Sequence, residues 1–294
     1  MKKLNCLNYL NTERVKHISV HVPTHLKPAN ETEFGHYLAG LIEGDGHFSS
    51  AQQLVIVFNS LDASLAYYIK KRIGYGSVTK LKSKNVILLT ICKREGLEKV
   101  LNLVNGKLRL QFHIDAINKH IINAYKEPLK IKDKLHLNTT TDLNNHWLVG
   151  FLDAKGSFQI KVFERNDVKP RTEVRLVVQI DQKEDNILKL IQKFWGGNIC
   201  YKKSQDSYTY DSSSIFFPTV FPVGENKGKK TGAGRKVIKY FDHYHLLSSK
   251  HVNYLKWRKA YILLQTGKHL TPEGQEEIKR LKSTMINYSE KTDS

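Results

Sequence analysis

The chain has 294 residues, with 47 Lys and Arg against 28 Asp and Glu, and a formal charge of +19 with histidine neutral. That length suits one large or two small domains, and 40% hydrophobic residues are enough for a sizeable core, which excludes a largely disordered chain. At a sequence pI of about 9.6, self-repulsion opposes compaction unless a polyanion offsets it, and nucleic acid is the leading candidate.

Residues 1–33 read as an N-terminal extension, mildly basic but without the Arg and Ser richness of a presequence. A first unit is expected over 34–125. It opens with an apolar helix ending near Asp45 and continues with a strand at Leu54–Phe58 and a helix near 61–72. A strand pair opened by Gly74-Tyr75-Gly76-Ser77-Val78 and a helix near 94–104 complete it. The polar stretch 126–145, around Pro128 and Asn138-Thr139-Thr140-Thr141, reads as a linker. A second unit over 146–249 repeats the order, with strands at Phe158–Val162 and Val174–Ile180, a helix near 183–194, strands opened by Gly196-Gly197-Asn198-Ile199 and a helix near 236–246. Within it, residues 215–234 fit no element and read as an exposed, mobile insertion. Beyond 250, Tyr254, Trp257, Tyr261 and Leu264 recur at helical spacing, so a helical C-terminal extension over 250–294 is expected to pack on the second unit.

No apolar run approaches the ~18 residues that span a bilayer, so a soluble protein without a membrane partner is expected. Cys6, Cys92 and Cys200 are isolated singles that can build neither a disulfide framework nor a zinc site. They read as half-buried free thiols. The Gly224-Glu225-Asn226-Lys227-Gly228-Lys229-Lys230 run has three residues between its glycines where a phosphate loop needs four. His17, His21 and His25 flank Pro23, and His243 and His245 lack further ligands, so all five read as structural or solvated.

The strongest signal is internal duplication. Tyr37-Leu38-Ala39-Gly40-Leu41-Ile42-Glu43-Gly44-Asp45-Gly46-His47-Phe48 aligns without gaps on Trp147-Leu148-Val149-Gly150-Phe151-Leu152-Asp153-Ala154-Lys155-Gly156-Ser157-Phe158. Gly40 and Gly44, like Gly150 and Ala154, share one helix face without bulk, so the two helices can cross with backbones nearly touching. Asp45 falls at a helix C-terminus, where a carboxylate is unfavourable unless a cation sits beside it. That placement argues for a metal ligand, with Mg²⁺ taking the carboxylate and carbonyl oxygens such as those of Gly44 and Ala154. Two such acids on a pseudo-twofold axis would hold metals for hydrolysis of both strands of a duplex.

Strand alternation suggests the contact surface. Val174, Leu176, Val178 and Ile180 form one apolar face, leaving Glu173, Arg175 and Gln179 on the other, while Ser157, Gln159 and Lys161 alternate with Phe158, Ile160 and Val162. Long polar side chains on one sheet face suit base edges in a major groove. Ser77 and Thr79 are assigned to the same surface. Lys80, Lys82 and Lys84, with Lys202 and Lys203, lie near turns and suit phosphates.

Leu38 to Gly46 resembles the LAGLIDADG motif of homing endonucleases and group I intron maturases, in their two-motif single-chain form, and the similarity extends over roughly residues 34–265. It implies an α+β fold of two pseudo-twofold αββαββα repeats whose antiparallel saddle sheets lie along the DNA major groove, with cleavage across the minor groove. It further implies a catalytic acid at the eighth motif position, Asp45, while Glu43 and Asp153 at the sixth are structural. Lys155 stands where the second acid belongs and could pair with Asp45 across the axis. The family also implies a basic residue before the last helix of each half, here Lys93 but Ala233 in half two. A Gln ending the second strand is implied too, here Gln182 but Leu61 in half one. The expected activity is therefore Mg²⁺-dependent cleavage of a double-stranded DNA target by a monomer, impaired or limited to nicking. The alternative is a non-cleaving maturase that binds group I intron RNA, and an artificially inactivated form stays open. The resemblance suggests a mitochondrial location.

Overall fold

Asn30 caps the first helix, α1 (Glu31–Asp45): its side-chain oxygen accepts from Glu33 N at 2.9 Å, and Glu33 Oε2 accepts from Ala29 N at 2.8 Å. Each side chain thereby satisfies an N–H that the helix start leaves open. The computed structural model describes residues 23–82, 84–165, 171–212, 216–217 and 232–288.

After α1 the chain forms β1 (Gly46–Ser49), β2 (Gln53–Asn59), α2 (Ala63–Ile73), β3 (Ser77–Lys80), β4 (Val86–Ile91), α3 (Arg94–Val104) and α4 (Gln111–His120). The second half runs α5 (Trp147–Lys155), β5 (Gly156–Arg165), β6 (Arg171–Gln182), α6 (Asn186–Trp195), β7 (Asn198–Lys202), β8 (Ser207–Asp211), β9 (Phe216–Phe217), α7 (Gly232–His243) and α8 (Lys250–Gln265), before a final α9 (Pro272–Ser283). The sheets share one antiparallel order, β1-β2-β4-β3 and β5-β6-β8-β7. Leu54, Ile56 and Phe58 in one sheet, and Leu176, Val178 and Ile180 in the other, are buried in one hydrophobic core. This is the duplicated α+β saddle that the repeat predicts.

Three differences from the sequence reading have physical causes. Helix α4 was not expected, because His113, Ile114 and Ile117 are its only buried residues and leave a faint stripe. It is nevertheless a repeat element: α4 packs on β1 as α8 packs on β5. The linker is also docked, which its polar composition did not indicate. Asn102 donates to Lys130 O at 2.9 Å and accepts from Lys132 N at 2.8 Å, and Asn105 donates to Asp133 O and accepts from His136 N, both at 3.1 Å. Amides on the outside of α3 thus pair with an extended backbone much as a neighbouring strand would. Finally, the segment expected to fit no element begins with β9, which pairs with Val174 and Arg175 of β6, and ends inside α7. Residues 218–231 between them lie outside the described set, as do Cys6, His17 and His21. Cys92 and Cys200 are free and exposed rather than half-buried.

Candidate active site and nucleic-acid interface

Helices α1 and α5 meet where the sequence lacks bulk. A Cβ added at Gly40 would stand 1.9 Å from Trp147 O, and one added at Gly150 would stand 2.0 Å from Tyr37 O. At Gly44 it would stand 2.2 Å from the Ala154 Cβ, so all four small residues lie at the closest approach.

The sixth-position acids face inward and hold each half together. Glu43 accepts from Leu110 N at 2.5 Å, from Trp147 Nε1 at 2.6 Å and from Arg109 N. Asp153 accepts from Tyr37 Oη at 2.7 Å, Leu247 N at 2.8 Å, and Ser248 N at 3.2 Å. Each acid fixes the chain just before the last helix of its repeat, α4 or α8. Burial pushes the Glu43 carboxyl up to about 7 against these donors, and it raises Asp153 likewise.

The eighth-position residues end their helices side by side. Lys155 Nζ lies 2.9 Å from Asp45 Oδ1, with the lysine side chain 38% exposed and the aspartate 19%. They line a cleft of about 350 Å³ together with Asn59, Asp181, Lys250 and Tyr288. None of these last four was selected from the sequence. Lys250 opens α8 and donates to Ala154 O at 2.6 Å and Leu152 O at 3.2 Å. The Ala154 carbonyl, expected as a metal ligand, therefore accepts from an ammonium group here.

Two further expectations are corrected by strand register. Gly46 pairs with Ile56 and Gly156 with Ile180, so Gln182 corresponds to Phe58, not to Leu61. Gln182 shares the core-side parity of Val178 and Ile180, and its Nε2 is buried without a hydrogen bond. Its neighbour Asp181 faces the cleft instead. Burial raises Asp181, but donors from Thr209, Gln179 and Lys202 outweigh this and hold the carboxyl below its usual range. Lys93 lies two residues beyond Ile91, which pairs with Leu54, whereas the cleft is lined by Val57 to Asn59 at the other end of β2. Lys93 is exposed at the start of α3 and does not line the cleft. The Ala233 side chain lies outside the described set.

On the open face of the second sheet a polar chain leads away from the cleft. Gln159 Nε2 donates to Ser157 Oγ and to Gln179 Oε1, both at 3.1 Å, and Gln179 Nε2 donates to Asp181 Oδ2 at 2.9 Å. Lys202, expected near a phosphate, instead pairs with Asp181 at 3.1 Å. Lys161 and Arg175 are half-buried partners across the β5–β6 ladder, and the Arg175 guanidinium lies 4.8 Å from the Phe163 ring centroid. Alternation is imperfect, because Glu173 and Val177 on this face are buried. In the first sheet Ser77 and Thr79 are exposed opposite Thr90 and Leu88, while Lys80, Lys82 and Lys84 surround the β3–β4 turn. Lys203 is exposed after β7.

His25 and His245, expected from the sequence to be structural or solvated, form a cluster with His251, which the sequence did not single out. Their ring centroids are 4.1 to 5.5 Å apart. The N-terminal segment brings His25 there through Leu26, which bridges to Tyr244.

Two repeats joined by bare helix faces, with paired saddle sheets and a polar cleft at their joint, define a duplicated α+β saddle. A family model described as LAGLIDADG endonuclease matches residues 148–217 and 227–261. A cox1 intron-2 protein of Schizosaccharomyces pombe, itself uncharacterized, is 51% identical over 92% of this chain and 78% of its own length. The chain belongs to the LAGLIDADG endonuclease family. Saccharomyces cerevisiae supplies two relatives, the intron-encoded DNA endonuclease aI3 at 29% identity over 85% of this chain and 68% of its own, and the intron-encoded RNA maturase bI4 at 26% over 87% and 40%. The solved LAGLIDADG meganuclease I-AabMI, bound to uncleaved DNA, shares the fold with a TM-score of 0.64 and 19% identity, over 86% of this chain and 99% of its own.

Proposed function

We propose that this chain is an intron-encoded, site-specific endonuclease that holds a long DNA duplex along its two sheets and hydrolyses at most one strand at the seam. The observation that carries the reading is the unlike pair of helix ends, Asp45 against Lys155 at 2.9 Å. A two-strand cutter needs an acid on each side of the axis, and here the second side presents an ammonium. The DNA-bound meganuclease fold and the DNA endonuclease relative support the duplex as ligand. The cox1 intron origin of the Schizosaccharomyces relative supports a mitochondrial location. Because one chain supplies both halves, the working unit is a monomer.

A divalent ion fits the Asp45 side. Its carboxylate ends a helix with no basic residue in the last turn, a place where a bound cation offsets both the carboxylate and the helix dipole. Among the described residues no three His, Cys, Asp or Glu side chains converge into a metal cage. The ion would therefore be held by Asp45, the adjacent main chain around Gly44, and water, a ligand set that suits Mg²⁺. Bound there, Mg²⁺ would supply charge stabilisation at the scissile phosphodiester. Asp45 orients that charge, and the sheets fix the duplex register.

The test is incubation with supercoiled plasmid carrying the intronless exon junction and Mg²⁺. Open-circular product that disappears in Asp45→Asn supports the proposal, and linear product overturns the one-strand limit. No product of either kind, together with tight binding of the intron RNA, would favour the maturase reading. The Asp45–Lys155 pair and the RNA maturase relative support that alternative.

A further inference from the structure

The open faces of the two sheets carry opposite chemistry at matched positions. In the first sheet Leu54, Ile56 and Phe58 of β2 point into the core, so Val55 and Val57 between them lie on the open side. On β4 the same alternation buries Ile87, Leu89 and Ile91 and leaves Leu88 and Thr90 half-buried on that side. Val55 is only 8% exposed, between its ladder partners His47 and Thr90, so the reachable apolar pair is Val57 with Leu88, which stand opposite one another. β1, β2 and β4 contain no Asp, Glu, Lys or Arg.

The second sheet differs position by position. Gly46 faces Ile56 as Gly156 faces Ile180, so Val57 corresponds to Asp181 and Val55 to Gln179. One strand further, Leu88 corresponds to Thr209 and Thr90 to Asp211. Where half two sets Thr209 donating to Asp181, half one sets two branched aliphatic side chains. Val57 also lines the cleft, so the apolar pair begins beside the seam rather than at the rim of the saddle. The turn between β3 and β4 adds Lys80, Lys82 and Lys84, cations that suit the phosphates bordering a groove.

An apolar patch flanked by cations matches one feature of a DNA major groove, the thymine C5-methyl, which apolar side chains contact. RNA offers no counterpart, because uracil lacks the methyl and side chains cannot read the deep, narrow A-form major groove. We infer that the Val57–Leu88 pair reads thymine methyl groups, so that the half-site on the first sheet is selected by apolar contact and the half-site on the second by hydrogen bonds. The inference rests on the duplex lying along the sheets, as proposed above.

Deoxyuridine is the probe, since it keeps the Watson–Crick edge of thymidine and lacks only the methyl. The full chain is titrated by fluorescence anisotropy against the exon-junction duplex and against two versions of it, each with the thymidines of one half-site replaced by deoxyuridine. One half-site is expected to lose affinity about fourfold for each buried methyl, the equivalent of ~0.8 kcal/mol per group removed from water, and the other less than about twofold. Val57→Ser combined with Leu88→Ser should abolish the larger loss, which assigns that half-site to the first sheet. Equal losses in both half-sites, no loss in either, or a loss undiminished in the folded double variant would each overturn the inference. Thermal melts establish folding, and the two substituted duplexes decide on the parent chain even where the double variant does not fold. Absence of any duplex binding overturns the proposed function and the methyl reading together, whereas binding without methyl sensitivity overturns the methyl reading alone.

Discussion

Trp147 donates its indole N–H to Glu43 at 2.6 Å, and Tyr37, at the matching position of the other repeat, donates its hydroxyl to Asp153 at 2.7 Å. Each repeat thus supplies an aromatic donor to the buried acid of the other. Because the acids also fix the chain before α4 and α8, the joint between halves and the packing within each half depend on the same carboxylates.

Removing either donor leaves a buried acceptor short of a partner. Trp147→Phe and Tyr37→Phe are each expected to lower unfolding free energy by about 1–3 kcal/mol in urea titrations. A loss near zero in both would show that the acids do not rely on the cross-seam donors.

Crowding and backbone strain can be separated with two glycines. Gly40→Ala forces a Cβ to within 1.9 Å of Trp147 O, whereas Gly74 has φ +84° and open space around its missing Cβ. Gly74→Ala should cost about 1–2 kcal/mol for the left-handed conformation. Gly40→Ala should cost more, through overpacking of about 1–3 kcal/mol or greater, and should also weaken duplex binding by shifting one sheet against the other. Equal losses in stability with unchanged affinity would count against a rigid seam.

The repeat, the two sheets and the helix contact were legible because small residues, apolar alternation and duplication are local patterns. The cleft was only half legible. Asp45 and Lys155 stand inside the motif, but Lys250 reaches Ala154 from 96 residues away and Tyr288 arrives by a return of the chain after α9. The resemblance pointed to Gln182, whereas its neighbour Asp181 lines the cleft, because one residue along a strand reverses the face. The polar outer face of α3 reads as solvated until the linker is seen lying on Asn102 and Asn105.

Lys155→Ala takes the cation away from a carboxylate at a helix end. The pair is partly exposed, so the loss in chelator should be small, about 1 kcal/mol or less. Millimolar Mg²⁺ should then raise the melting temperature of the variant more than that of the parent. An identical response of the two proteins to Mg²⁺ would argue that Asp45 does not bind the ion.

The docked linker predicts a proteolytic signature. Asn102→Ala removes both hydrogen bonds to the Lys130–Lys132 backbone, and Asn105→Ala removes those to Asp133 and His136. The double variant should be cleaved by trypsin within 126–138 several-fold faster than the parent while its melting temperature changes little. Unchanged cleavage would mean that the remaining contacts, the Arg94 and Glu98 hydrogen bonds and buried Leu135, suffice to hold the segment.

Acid should loosen the histidine cluster. Burial, then the neighbouring His245, His25 and Lys27 charges, push His251 down to about 4, and burial also lowers His245. A histidine depressed in the folded state contributes stability that is present above its unfolded pKa of about 6.5 and lost as pH falls toward the folded value. Melting temperature should therefore drop between pH 6.5 and 4, and His251→Gln should flatten that slope. A slope unaffected by the substitution would assign the acid sensitivity elsewhere.

The bare contact of α1 with α5 also constrains how such a protein can change. Backbones that already touch leave no side-chain layer to thicken or thin, so the spacing and angle between the two halves cannot drift by small steps. The strands carry no such restriction. Lineages sharing this joint are free to rewrite what each half reads along a duplex, but they inherit the distance between the two readings as a fixed gauge.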